Sequence, residues 1–319
     1  MREQTINRMF LNRIAEGGDA VRYLVPGGMK WEPMTYREVG EAVREIAGGL
    51  MDLGLARGEK VAILSSTRVE WPLADIACIL CGFVTVPIYP SNLPDQVEYI
   101  LSHSGARAVF VEDEPQWNKV AGARGRLPEL SAVILLTGGP EGKEGTIGLA
   151  ELRGRGAGFL AARPGVLEAR AEEIHPEDDL TIIYTSGTTG PPKGALIRHS
   201  NIAFDVTAVL EVVPVPRGDV MLQFLPLAHV LGRFEHFLSF DAMVVTAFAR
   251  SIQTVAEDLT SIRPHLMISV PRLYEKFYAR VMAKVEEAGG LKKAIFLWAL
   301  RAGREGSRNL QQGKPAGPE

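Results

Sequence analysis

Short apolar runs recur along the chain and alternate with stretches of helical period. Residues 61–64, 85–88, 108–111 and 132–136 read as buried strands, with helices expected at 69–81 and 94–103 between them. Asn92 is the expected cap of the second helix, ahead of Pro94 in its first turn. Upstream, 23–25 and 29–34 flank Pro26-Gly27-Gly28, a hairpin signature, and 36–52 follows as a helix. Strand alternating with helix implies parallel β-structure. Continuous apolar strands imply sheets covered on both faces.

The pattern lapses between Gly138 and Asp179, where glycine, glutamate and arginine dominate. This stretch reads as a connector, with a short helix at 149–153. Strands are then expected at 181–184, 195–197, 221–224, 243–247 and 266–269. Helices are expected near 199–211, 228–240, 252–262, 271–288 and 291–303. The organisation that follows is a first α/β subdomain over 1–179, containing the hairpin and the connector 138–179, and a second over 180–319. The tail 303–319 holds one leucine in seventeen residues and is expected to be disordered.

Composition narrows the classes. The chain has 319 residues, 46% hydrophobic and 23% charged, which excludes a disordered protein and leaves ample material for a core. A net charge of −3 gives no reason to expect nucleic acid as a partner. The first ten residues carry mixed charges rather than the apolar core of an export signal. The longest uncharged stretch of note, 76–94, is broken by Gly82, Pro87 and Pro90, so no transmembrane segment is expected. The expectation is a soluble cytoplasmic protein. Cys78 and Cys81 form a C-x-x-C without a second cysteine pair, inside an apolar helical window; they read as core residues.

Chemistry concentrates in Tyr-Thr-Ser-Gly-Thr-Thr-Gly-Pro-Pro-Lys-Gly, residues 184–194, between two expected strands. Thr185, Ser186, Thr188 and Thr189 offer hydroxyl donors. Gly187, Gly190 and Gly194 let successive backbone N–H groups turn inward, and Lys193 adds a mobile cation. That set suits a polyphosphate. The loop is not a Walker motif, because Pro192 precedes Lys193 and a strand follows. On the residues alone, a plain polar hairpin competes with the phosphate reading.

Further along, Leu227, Val230, Leu231, Phe234, Phe237 and Leu238 share one helical face, and His229, Arg233 and His236 share the opposite one. Without other information that polar face reads as a solvated stripe. Tyr274, Phe277, Tyr278 and Val281 recur at helical spacing and read as packing rather than tunnel lining, with Arg272 a helix-start charge. His103, His175, His199 and His265 show no ligand spacing.

The ten-residue string 185–194 resembles the phosphate loop of the adenylate-forming enzymes, the acyl-CoA synthetases and their relatives. Residues 82–101 and the string F-L-P-L-A-H-V-L-G-R at 224–233 are similar to neighbouring family segments. V-P-R-L-Y-E-K-F-Y at 270–278 is similar to the long-chain fatty acid branch. The resemblance implies an α/β fold of two packed, mostly parallel sheets with flanking helices, incomplete at the C-terminus. It implies a ligase in which a fatty carboxylate and ATP form an acyl-adenylate, from which coenzyme A displaces AMP. Thr185, Ser186, Gly187, Thr188, Thr189, Gly190 and Lys193 would hold the β- and γ-phosphates, and Thr185 would also be a ligand of Mg²⁺. His229 would border the acyl-adenylate as the catalytic-site residue. Some relatives carry an aromatic gate where Arg233 stands; an arginine there resembles another long-chain subgroup.

The resemblance also implies motifs that this sequence lacks: a Tyr-Gly-x-Thr-Glu segment, a Thr-Gly-Asp segment, and a small C-terminal domain with the adenylation lysine. Lys314, in a Gly/Pro tail, is no substitute. Three readings stay open: the N-terminal part of a long-chain fatty acid–CoA ligase, a non-catalytic fragment that keeps a phosphate loop, and another adenylating enzyme such as an acyl-AMP or aryl-CoA ligase. The partners implied are ATP, a fatty acid and CoA, with peripheral contact at the inner membrane face. Self-association through an uncovered sheet edge is the structural expectation for a truncated chain.

Overall fold

A computed structural model describes residues 4–28, 30–185 and 190–315. The chain separates into two compact units, one ending at Ile268 and one beginning at Ser269. The first unit opens with α1 (Ile6–Gly17), then the hairpin β1 (Val21–Gly27) and β2 (Lys30–Thr35), then α2 (Tyr36–Asp52). A capping box starts α2: Thr35 Oγ1 accepts from the Glu38 N–H, and the Glu38 carboxylate accepts from the Thr35 N–H at 2.7 Å. The alternating pattern follows as β3 (Lys60–Leu64), α3 (Glu70–Leu80), β4 (Val84–Ile88), α4 (Pro94–Ser104), β5 (Ala106–Val111), α5 (Glu114–Ala121) and β6 (Ala132–Leu135). Leu93 rather than Asn92 stands at the N-cap of α4, its N–H bonded to the Gln96 side chain at 2.9 Å.

The glycine-rich stretch is more ordered than its composition suggests. It forms β7 (Thr146–Gly148), α6 (Leu149–Ala162) and α7 (Val166–Glu172). One of its glycines, Gly156, serves a helix crossing rather than a linker. A Cβ on Gly156 would lie 1.8 Å from the Glu45 carbonyl oxygen and 2.5 Å from the Gly49 nitrogen, so α6 and α2 touch backbone to backbone.

Next come β8 (Asp179–Thr185), β9 (Lys193–Arg198), α8 (His199–Val212), β10 (Val220–Gln223), α9 (Val230–Asp241), β11 (Val245–Phe248) and α10 (Val255–Ile262). The expected strand at 266–269 is reduced to a single bridge between Met221 and Leu266. A seven-stranded sheet runs β7-β6-β5-β3-β4-β8-β9, parallel except for the β8–β9 pair. A four-stranded sheet runs β10-β11-β1-β2, parallel except for β1–β2. The fold is therefore α/β, with two mostly parallel sheets and flanking helices. The principal core gathers Phe10, Tyr23, Tyr36, Trp71, Phe240 and Phe248 with the inner faces of α2 and α3. Cys78 and Cys81 lie buried and free in α3; desolvation pushes the Cys78 thiol well up and Cys81 up to about 12, so both stay protonated.

The second unit is a helical pair, α11 (Pro271–Ala288) and α12 (Gly290–Gln311), turned at Gly289 and Gly290, both with positive φ. Helix α12 continues through much of the tail whose composition reads as disordered. Among the described residues, no helix is long and apolar enough to cross a membrane.

Candidate functional site

A cleft opens at the carboxyl ends of β3, β4, β10 and β11, two strands from each sheet. In open α/β sheets this edge collects loops that can meet a ligand. The cleft encloses about 370 Å³ between Ser65–Thr67, Tyr89–Ser91, Phe224–Ala228 and Ala249–Gln253. Its walls alternate hydroxyls with apolar surface, and each wall is tied from behind. Thr67 Oγ1 donates to the Leu225 carbonyl at 3.0 Å and accepts from the Leu227 N–H at 3.0 Å, which fixes the turn after β10. Glu112 accepts from the Ser66 N–H at 2.6 Å and hydroxyl at 2.8 Å. Asp258, fully buried, accepts from the Arg250 N–H at 3.0 Å and Nε at 2.6 Å.

His229 belongs to this turn. It caps α9 as an exposed residue, its Nδ1 accepting from the Leu231 N–H at 3.1 Å, while its neighbours Pro226 and Ala228 line the cleft. A backbone N–H bonded to Nδ1 requires the tautomer protonated at Nε2. The ring therefore presents an N–H donor outward.

The hydroxyl-rich loop joins β8 to β9. Thr185 stands opposite Lys193 and Tyr184 opposite Gly194 in an antiparallel ladder, so Thr185 and Lys193, both exposed, are brought together at the loop's base. Gly190 has φ +90°, a conformation that L side chains rarely adopt. Ser186, Gly187, Thr188 and Thr189 lie outside the described residues. An aromatic cluster braces the base. The Tyr99 hydroxyl donates to the Pro192 carbonyl at 3.1 Å, His103 stacks on Tyr99, and His103 Nδ1 bonds the Tyr184 hydroxyl at 2.8 Å. Sequence reading gave neither Tyr99, inside the family-like segment 82–101, nor His103 a role; their spacing of four on α4 is the signal that existed.

The polar face of α9 overturns the solvated-stripe reading. Arg233 is 2% and His236 1% exposed, whereas Val230, assigned to the apolar face, is 39% exposed. The helix is sandwiched, and its polar side chains find partners inside the protein. Arg233 donates from Nε to Asp75 Oδ2 at 2.9 Å and from Nη2 to Asp75 Oδ1 at 2.5 Å and Thr85 Oγ1 at 2.6 Å. His236 Nε2 bonds the Tyr23 hydroxyl at 2.7 Å. Desolvation, with Arg22 and Arg233 nearby, holds the imidazole well below its ordinary pKa, so it is neutral; desolvation raises Tyr23 to about 12. Beside them Glu235 accepts from Gln223 Nε2 at 3.1 Å, and burial raises its carboxyl far above the usual range. Asp75 was missed by pattern reading. Its signal was a lone carboxylate inside the otherwise apolar Leu73–Leu80 helix segment, which has to find a cation.

With this geometry in hand, comparison with known proteins is decisive. A family model described as AMP-binding enzyme matches residues 12–309. The chain belongs to the AMP-binding enzyme family. Within it, the chain is 34% identical over 287 residues to "Long-chain-fatty-acid--CoA ligase FadD15" of Mycobacterium bovis, covering 89% of this chain and 46% of that protein. It is 32% identical to "Long chain acyl-CoA synthetase 6, peroxisomal" of Arabidopsis thaliana, covering 92% and 41%. The chain thus spans about half the length of these curated relatives of the AMP-binding family. Among solved structures, the inhibitor-bound N-terminal domain of FACL13 from Mycobacterium tuberculosis aligns with TM-score 0.69 at 26% identity, over 85% of this chain and 64% of that one. The anthranilate CoA ligase AuaEII in complex with anthranoyl-AMP shares the fold at TM-score 0.72 and 22% identity, over 82% and 49%.

Proposed function

We propose that this chain carries the phosphate-handling part of a long-chain fatty acid–CoA ligase. The observation that carries the reading is the β8–β9 ladder. It sets Thr185 against Lys193 at the base of a loop whose sequence resembles the family's phosphate loop, in a chain whose relatives are named as a long-chain-fatty-acid–CoA ligase and a long chain acyl-CoA synthetase. In the reaction, a fatty carboxylate oxygen attacks the α-phosphorus of ATP, the bond to the β-phosphate breaks, and pyrophosphate leaves. The sulfur of CoA then attacks the acyl carbonyl and AMP leaves. A carboxylate is ionised at neutral pH, so the first step needs no general base. The energetic problem is crowded negative charge, which positioned donors and cations relieve. Thr185, Ser186, Gly187, Thr188, Thr189, Gly190 and Lys193 hold the β- and γ-phosphates.

Thr185 offers one exposed hydroxyl oxygen, a donor suited to a hard cation. Among the described residues no cluster of three or more His, Cys, Asp or Glu could hold a metal. The donor chemistry fits an Mg²⁺ that arrives with the polyphosphate and takes Thr185 as one oxygen ligand. Bound there, the ion would neutralise phosphate charge. His229, donating from Nε2 at the cleft's rim, borders the acyl-adenylate.

A second reading is favoured by the chain's spanning about half of its relatives: a phosphate-binding piece without turnover. Fatty-acid-dependent ATP–pyrophosphate exchange separates the two. Exchange that vanishes in Lys193→Ala supports ligation. Absent exchange, with Mg-pyrophosphate and Mg-ATP bound equally well by calorimetry, supports the second reading. No binding of either sinks both.

Peripheral membrane contact fits the helical pair. Residues 269–319 hold ten Lys and Arg against five Asp and Glu, a charge of +5 in a chain of net −3. On α11, Arg272, Lys276, Arg280 and Lys284 recur every four residues. Tyr274, Tyr278 and Val281 form an exposed apolar stripe there, and Leu291, Ile295 and Trp298 form another on α12. Basic faces flanking apolar, aromatic stripes suit an anionic lipid surface.

A further inference from the structure

We propose that Arg233, Asp75 and Thr85 form a buried tether that couples the His229 turn to the strand carrying the phosphate loop, and that Arg233 works as a positioning residue rather than a movable gate. The functional half of this inference rests on the phosphate-loop reading above; the tether itself rests on geometry alone.

The seam between β4 and β8 is where the β8–β9 hairpin joins the rest of its sheet. Its ladder register consists of one pair, Thr85 with Thr181, whereas β3–β4 has five pairs and β5–β6 four. Side chains reinforce that thin seam. Thr181 Oγ1 donates to the Thr85 carbonyl at 2.8 Å, and Thr85 Oγ1 donates to the Leu180 carbonyl at 3.4 Å. The Thr85 hydroxyl can donate there because it accepts from Arg233 Nη2 at 2.6 Å. Arg233 is itself fixed by the two-pronged bond to Asp75 of α3, both residues being almost wholly buried. Its backbone N–H donates to the His229 carbonyl at 3.1 Å, the first turn of α9.

An unbroken series of hydrogen bonds therefore runs from the His229 carbonyl through Arg233 and Thr85 to Leu180 and Thr181, four residues before Thr185. The side-chain links joining Asp75, Arg233, Thr85, Leu180 and Thr181 are buried, so losing one of them leaves a desolvated polar group without a partner rather than a water contact. A guanidinium locked by a carboxylate fork, a hydroxyl and surrounding Trp71 and Phe237 rings has no room to swing. That combination makes α9 and β8 move together.

Thr85→Val tests this, because it keeps side-chain shape and removes only the hydroxyl. Arg233→Lys keeps the charge and removes the fork. Hydrogen exchange of β8–β9 amides is compared with that of β3 and β5 amides in the intact chain, alongside calorimetric titration with Mg-pyrophosphate. In both variants the β8–β9 amides should exchange about tenfold faster, as expected for one unsatisfied buried group, with β3 and β5 unchanged. Mg-pyrophosphate affinity should weaken several-fold. Should Arg233→Lys fail to fold, Thr85→Val alone carries the test. Unchanged β8–β9 exchange, or an equal rise in β3 and β5, overturns the tether. Localised exchange in a chain whose unaltered form does not bind Mg-pyrophosphate upholds the tether and removes the phosphate reading instead.

Discussion

His199 offers a quantitative handle on this protein's pH dependence. It opens α8 directly after β9, is 2% exposed, and accepts the Ile6 N–H on Nδ1 at 3.2 Å, joining α1 to α8. Desolvation lowers its pKa from 6.5 to about 4; Asp178 opposes the shift and Arg233 adds to it. Protonation would place a charge in the core and remove the acceptor that Ile6 uses. The unfolded chain binds the proton near pH 6.5 and the folded chain only near 4, so the stability is fully present above 6.5. It falls as pH drops towards 4. At about 1.4 kcal/mol per pH unit the loss is about 2 kcal/mol by pH 5 and about 3 kcal/mol by pH 4. His199→Asn keeps an acceptor oxygen near the Nδ1 position and cannot titrate. Urea unfolding at pH 7 and pH 5 should show the unaltered chain losing about 2 kcal/mol more than the variant over that interval. Parallel losses in the two proteins would refute the reasoning, because the acid sensitivity would then belong to other groups.

Glu235 acts in the opposite direction. A buried carboxyl with a raised pKa loses stability as pH climbs from the ordinary carboxylate range, so Glu235→Gln should gain on the unaltered chain at pH 8 and lose that advantage near pH 4. Gly156→Ala drives a methyl into the Glu45 backbone and should cost about 2–3 kcal/mol in urea unfolding, whereas Gly158→Ala, with open space around it, should cost nothing measurable. Vesicles of anionic lipid should sediment with the chain at low salt and release it at about 0.5 M salt, where screening is short-ranged; equal binding to zwitterionic vesicles would contradict the charge argument. Sedimentation velocity tests self-association, since the outer strand β9 is exposed over most of its length, with Leu196 and nearby Phe204 prominent. Concentration-independent monomer would count against it.

Local pattern carried most of the elements. The β3–β6 alternation, the hairpin turn and the long α2 were all legible because each is written in nearest-neighbour periodicity and turn chemistry. Gly156 of α6 was misleading for a physical reason. Glycine is favoured both where a chain must turn and where two helices must touch, and only the partner helix distinguishes the cases. The same limit applied to α9, whose polar face looked solvated. Periodicity reports which residues share a face, not what that face meets.

By itself, the sequence determined the α/β alternation, the family, and the hydroxyl-rich loop between two strands, because these depend on residues close together in the chain. Tertiary structure alone decided that β1 lies parallel to β11, with Tyr23 beside Thr246, and that Asp75 receives Arg233 across 158 positions. Sheet order and buried charge pairing are settled by which surfaces must leave water together, and that is a property of the packed chain rather than of any segment of it.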